Sequence, residues 1–379
     1  MTDIIDKVMD LLDQNKHEKA LAILNKAIHR DHTDPFLYHW RGIVYYNKQN
    51  YEEAIKNFDM AISIDPEDIY SYYWCGSSYY DLENFSEAIR NFDKAIDLDP
   101  NDAASHFWRG RSYSDIGDLT EAIRSFHKAV DLEPDEPAFH HWLGLAHYDL
   151  KNYEEAINHF RKSITLDPGR PMNYRWLGQS CYEIEHYDEA IIHFNKLIDL
   201  DPDDGYGYLW LGKTYCEKND FHTAIENFDI GITLEPDDDF MYHQRGMAYY
   251  QTENFDEAIK NFEKAKEIKP EEADNYFWCG VAYYRKGEQK EAIDNLDKAV
   301  AVKPDDPHIF YWRGVVYLNS GTAVETNLIR SNKLKVVNKS HVQKSRQDFE
   351  TACRLGDQES CERLSFVQKL LKDGFVKTD

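Results

Sequence analysis

The sequence predicts an all-α solenoid of repeated helix pairs, and three registers carry that prediction. Pro66, Pro100, Pro134, Pro168, Pro202, Pro236, Pro270 and Pro304 follow one another at a step of 34 residues. Nine glycines from Gly42 to Gly314 and nine alanines from Ala20 to Ala292 keep the same step. A fixed period of this length marks stacked units, none of which buries its apolar face alone. With 42% hydrophobic and 30% charged residues the chain can build a packed core, and no apolar run reaches the ~18 residues of a membrane span.

The period starts at residue 1, so a residue's place in its unit is its number modulo 34, and all 12 prolines fall at place 32 or place 1. Proline has no N–H and pushes the preceding residue out of the α region, so the recurring Asp-Pro, Glu-Pro and Lys-Pro end one helix pair and begin the next. In residues 103–136, Ala103 to Gly117 carry an apolar stripe through His106, Gly110 and Tyr113, and Thr120 to Leu132 carry another through Ala122, Phe126 and Ala129. Gly117-Asp118 separates the two. Small residues at 110, 122 and 129 let the backbones approach, and Tyr113 and Phe126 fill the space left between them.

Helix-turn-helix units of 34 residues with Gly, Tyr, Ala, Phe, Ala and Pro at these spacings resemble tetratricopeptide repeats, over residues 1 to about 359. The resemblance implies a right-handed superhelical solenoid whose first helices line a concave surface, with places 2, 5, 6, 9, 12 and 13 meeting the ligand. Departures are local: Val8 and Leu24 in the first unit, His147 and Cys181 for Tyr, Ser163, Leu197 and Gly231 for Ala, and Leu296 for Phe. Nine regular repeats occupy residues 1–306. A tenth, 307–359, starts normally with Pro307 and Gly314, but its second helix resumes only at Ser345, after a 19-residue insertion. Residues 360–379 form the capping helix and tail, within an amphipathic pattern from Asp357 to Gly374 that covers the last apolar face.

Places 4, 8 and 11 form the packing stripe of each first helix, and place 6 lies almost opposite. All eight tryptophans sit there: Trp40, Trp74, Trp108, Trp142, Trp176, Trp210, Trp278 and Trp312, with Gln244 the exception. Tyr73 and Phe107 at place 5 share that face. Each Trp either packs against the next unit's first helix or stands in a ladder of aromatic anchors along a binding groove. Place 13 is Asp81, Asp115, Asp149, Glu183 and Glu217 in five consecutive units. These are solvated helix ends, or they select a segment with Lys or Arg that pairs with carboxylates and stacks on indoles. The Lys and Asn clamp with which some family members hold a partner's C-terminal carboxylate is absent.

The formal net charge is −25, which works against duplex DNA or an anionic membrane as partner and favours a basic or neutral one. Against that background Arg330, Lys333, Lys335 and Lys339 in the insertion stand out. They belong to a solvated loop or helix extension, or to a second docking site for an acidic partner. Six cysteines without a CxxC pair read as reduced, packed thiols, with Cys353 and Cys361 as packed small residues rather than a disulfide. The start shows no secretory signal, so a cytoplasmic location is expected.

Gly207 to Thr214 match the phosphate-loop pattern GxxxxGK[ST], but Gly212 is the packing glycine of a first helix, and the motif needs a loop after a strand. His140, His141 and His147 cluster without HExxH or CxxC spacing and read as structural. No catalytic constellation, cofactor site or metal site is expected. The chain reads as a non-catalytic protein-interaction scaffold or adaptor. Glycan or single-stranded nucleic-acid binding on the tryptophans, a regulatory or inhibitory subunit of an enzyme or toxin, and self-association stay open as alternatives.

Overall fold

The computed structural model describes the backbone of residues 2–326, 332–373 and 375–378, and side chains of 4–322 and 336–373. It divides into two units, Met1–His193 and Phe194–Asp379. The first holds α1 (Thr2–Asp13), α2 (His17–Arg30), α3 (Pro35–Asn47), α4 (Tyr51–Ile64), α5 (Ile69–Asp81), α6 (Phe85–Leu98), α7 (Ala103–Asp115), α8 (Leu119–Leu132), α9 (Pro137–Asp149), α10 (Tyr153–Leu166) and α11 (Pro171–Glu183). Helix α12 (Tyr187–Leu200) carries the chain into the second. That unit continues with α13 (Gly205–Glu217), α14 (Phe221–Leu234), α15 (Asp239–Gln251), α16 (Phe255–Ile268), α17 (Ala273–Lys286), α18 (Gln289–Val302) and α19 (Pro307–Gly321), and it ends with β1 (Thr322–Thr326), β2 (Asn332–Val336), α20 (Lys339–Arg354), α21 (Gln358–Asp373) and β3 (Phe375–Thr378). Each unit is a stack of helical hairpins, the solenoid that the period predicts.

Each helix starts where a side chain can take up its unpaired N–H groups. Asp102 accepts from the Ser105 N–H at the start of α7, and Asp118 from the Glu121 N–H at the start of α8. Asp68, Asn84, Asp220 and Asn254 do the same elsewhere, so part of the acidic excess is helix capping. The turn inside each hairpin needs one left-handed residue. Gly117 takes it at φ 83°, while Gln49, Glu83 and Lys151 hold it at 58–60° without being glycine.

The hairpins close on a repeated contact. A Cβ built on Gly110 would lie 2.7 Å from the Phe126 ring, and the same holds for Gly42 on Phe58 at 2.6 Å and Gly246 on Phe262 at 2.8 Å. Those rings are fully buried. Four hairpins add an arginine at place 7 that ties the second helix to the one before it. Arg109 donates to Ser125 in its own hairpin at 3.1 Å and to Asp93 of the previous one at 2.8 Å. Arg41 bridges Asn57 and Asn25, Arg245 bridges Asn261 and Asp229, and Arg313 bridges Asp348 and Asp297.

The C-terminal region corrects three expectations. The described part of the insertion forms a strand and a helix extension: β1 pairs antiparallel with β2, and β2 with β3. Helix α20 begins at Lys339, six residues before Ser345, because Asn338 caps it by accepting from the His341 N–H. Cys353 and Cys361 form a disulfide with Cα atoms 4.8 Å apart, since the turn between α20 and α21 brings the two helix ends within bonding reach. Cys75, Cys181, Cys216 and Cys279 are free thiols.

Gly110→Ala is expected to destabilise the protein by about 1–3 kcal/mol, because the new methyl meets a ring packed on all sides; differential scanning calorimetry against wild type would read this as a lower unfolding midpoint.

Candidate binding surface

On the first-helix face the tryptophans are half-buried, neither hidden in the hairpin core nor fully open. Each leans on the helix before it. Tyr46 meets Trp74 edge-on at 4.9 Å between ring centroids, Tyr80 meets Trp108 at 5.2 Å, Tyr148 meets Trp176 at 5.1 Å and Tyr250 meets Trp278 at 5.5 Å. Such edge-to-face pairs each contribute about 0.5–1.5 kcal/mol beyond area burial. Place 5 adds a second ring on the same helix, with Tyr73 5.5 Å from Trp74 and Phe107 5.6 Å from Trp108.

Where the tyrosine is missing a cation replaces it. Ser114 stands at the tyrosine place facing Trp142, and the Arg111 guanidinium lies 3.5 Å from the centroid of that indole. In the second unit Cys216 takes the tyrosine place and Gln244 the tryptophan place, and the Lys213 ammonium sits between Trp210 at 3.8 Å and Phe240 at 5.7 Å. A cation over an aromatic face is held by the ring quadrupole, so these contacts do the tyrosine's work with different chemistry.

The place-13 acids Asp81, Asp115, Asp149, Glu183 and Glu217 are exposed, and several are engaged by tyrosines. The Tyr80 hydroxyl donates to Asp115 at 2.6 Å and accepts from Arg111 at 2.7 Å. Burial and the Asp115 hydrogen bond push the Tyr80 phenol up to about 12. Burial, then a hydrogen bond to Asp81, raises Tyr46, and burial raises the Asp149 carboxyl. These carboxylates therefore brace the tyrosine ladder as well as charge the surface.

Clefts open between neighbouring first helices. One of about 370 Å³ is lined by Tyr70, Tyr73 and Trp74 with Asp99 and Asp102. Its counterpart in the second unit, about 320 Å³, is lined by Phe277, Trp278 and Trp312 with Asp274 and Asp306. Tyr70 is 70% exposed at the rim of the first.

The geometry matches what family models find in the sequence. Tetratricopeptide repeat models match residues 44–83, 76–117, 109–171, 171–204, 193–226, 246–287 and 282–321, well over half of the chain. The chain belongs to the tetratricopeptide repeat family. No curated protein sequence matches it. Among solved structures it is similar to MamA, at 27% identity over 42% of this chain and 94% of that one, with a TM-score of 0.42. It is also similar to YrrB, a TPR protein with an unusual peptide-binding site, at 23% identity over 50% of this chain and 98% of that one (TM-score 0.43), and to the APC/C hetero-tetramer Cut9-Hcn1 at 14% identity over 95% of each chain (TM-score 0.48).

Family membership supports a protein-interaction scaffold in general, and no enzyme family is among the matching models. Among the described residues no helix of this tetratricopeptide repeat protein is long and apolar enough to cross a membrane. The segment that imitates a phosphate loop lies inside α13, where Gly212 packs on Phe228. In the insertion Lys333 and Lys335 lie in β2, Lys339 opens α20, and Arg330 lies outside the described residues.

Of the three histidines singled out in the sequence, His141 stands apart, while His140 and His147 both meet His159. His141 is one of three place-5 histidines tied to the next first helix: its Nδ1 is 2.6 Å from Asn173, that of His39 is 2.9 Å from Ser71 and that of His243 is 2.7 Å from Asn275. His147 instead meets His127 and His159, two residues that sequence reasoning passed over.

Burial lowers the pKa of His39, His141 and His243 below the usual 6.5. The folded chain thus binds fewer protons than the unfolded one at acidic pH, so stability is intact above 6.5 and falls as pH drops below it. Thermal midpoints measured from neutral to mildly acidic pH should decline, and the triple change His39→Phe, His141→Phe, His243→Phe, which installs the ring of Phe107 and Phe277, should flatten part of that decline.

Proposed function

We propose that this tetratricopeptide repeat protein is a non-catalytic scaffold that captures a segment of a partner protein, rich in Lys or Arg and aromatic residues, on the first-helix face. The observation that carries this reading is the cleft of Tyr70, Tyr73 and Trp74 rimmed by Asp99 and Asp102, repeated in the second unit around Trp278 and Trp312. Aromatic walls favour flat or apolar groups, and carboxylates at the rim select cations over anions. Arg111 supports the same preference from within the chain: its guanidinium lies on Trp142 and bonds the Tyr80 hydroxyl, which in turn bonds Asp115. A net charge of −25 steers basic segments toward the surface. Affinity then comes from aromatic burial and orientation from the acids.

Panning a random peptide library on the purified protein should enrich sequences that pair Lys or Arg with an aromatic residue. Tyr70→Ala with Asp99→Asn should weaken the best peptide by ~10-fold or more. Asn keeps the turn's hydrogen bond from the Asn101 N–H to residue 99, so the fold is spared. Enrichment of acidic peptides, or unchanged affinity in the double variant, would sink the reading.

A further inference from the structure

The arginine that ties neighbouring second helices is missing from the α9–α10 hairpin, where Leu143 takes place 7. In the four hairpins that have it, that guanidinium joins place 25 of the previous hairpin to place 23 of its own, close enough to the place-11 tyrosines Tyr113 and Tyr249 for charge to be felt. Here the three bordering places are His127 on α8, His147 on α9 and His159 on α10. Three places that surround a cation in those four hairpins are here filled together by three imidazoles.

Their geometry is convergent. The His147 and His159 rings lie 5.6 Å apart and nearly parallel at 10°, and His127 stands 5.8 Å from each, turned by 78° and 72°. One ligand nitrogen from each lies within 4.8 Å of the other two. Nitrogen donors of a tetrahedral zinc ion sit roughly 3.3 Å from one another, a distance that small side-chain rotations reach. His147 is only 8% exposed, and both of its ring nitrogens are buried without a hydrogen-bond partner. Buried polar atoms are ordinarily paired, and the exceptions call for an explanation.

A fourth histidine orients the third. His140 Nε2 faces the Pro134 carbonyl oxygen at 2.9 Å, which can only accept, so the hydrogen is on Nε2 and Nδ1 is bare. That bare nitrogen lies 3.3 Å from His159 Nδ1, so His159 donates there and its Nε2 carries the lone pair. A neighbour that fixes the tautomer is what a ligating histidine ordinarily has.

We propose that His127, His147 and His159 bind a divalent transition-metal ion of the zinc class, with water completing the coordination. Imidazole donors suit zinc, cobalt, nickel and copper rather than calcium or magnesium. The ion joins α8 to α10 and so replaces the missing arginine. A second group, Cys181, Glu189 and His193, also lies within 4.8 Å, but there the Arg161 guanidinium already bonds Glu189.

The test is a titration of the metal-free full-length protein with Zn2+ against a chromogenic chelator near neutral pH, with Co2+ absorption as the coordination signature. One tight equivalent is expected, with the visible bands of tetrahedral cobalt. His147→Tyr and His159→Asn install the residues that other hairpins carry, as in Tyr113 and Asn57, so the metal-free variants should match wild type in far-UV circular dichroism. Each should bind ~100-fold or more weakly and lose the cobalt bands. Absence of a stoichiometric site in wild type, unchanged binding in both variants, or loss caused instead by Cys181→Tyr would each overturn the assignment.

Discussion

A phenyl ring seated on a glycine closes most of the hairpins, with Leu296 on Gly280 and the pair Val8 and Leu24 as the exceptions, and the rest of the structure is arranged around that contact. Phe126 lies where any side chain on Gly110 would have to be, so α7 and α8 approach more closely there than two side chains would permit. Close approach on one side decides what the other side can do. The packing stripe of the first helix is used up inside the hairpin, which leaves its opposite face for the neighbouring hairpin and for solvent. Tryptophan suits that position because it is large enough to reach back to a tyrosine on the previous first helix and still present surface outward.

The period made the helices, their order and the place of every tryptophan readable from residue numbers alone. It could not decide between packing and binding for those tryptophans, because the partner of Trp74 is Tyr46, 28 residues earlier, and that pairing follows from the stacking geometry rather than from any spacing within one helix. The ring contacts to the preceding first helix show the packing role, and the half of each indole left exposed is what the proposed binding would use. The insertion was opaque because the alternation of β2 is written in Lys333, Leu334 and Lys335, which reads equally well as a charged loop. The disulfide was missed because Cys353 and Cys361 sit on different helices, joined only by the way the turn folds back. The histidine trio was hidden for a related reason: its members are far apart along the chain and meet only once the 34-residue frame places them around Leu143.

Acidity in this chain serves several ends. Asp102 and Asp118 cap helices, Asp93 and Asp229 receive arginines from the next hairpin, and Asp115 receives a tyrosine hydroxyl. What remains at the cleft rims, with Asp99 as the example, is a smaller field than the net charge suggests. It is also better placed, because it sits beside aromatic walls.

The joints where a cation covers the tryptophan give the stack an uneven response to its surroundings. Edge-to-face rings between successive first helices are indifferent to dissolved ions, whereas Arg111 on Trp142 and Lys213 between Trp210 and Phe240 depend on partly solvated charge. Electrolyte screens such contacts with a Debye length of about 8 Å at physiological ionic strength. Raising the salt therefore loosens the stack at α7/α9 and at α13/α15 more than at joints held by ring contacts alone, so the softness of these points is set by the medium.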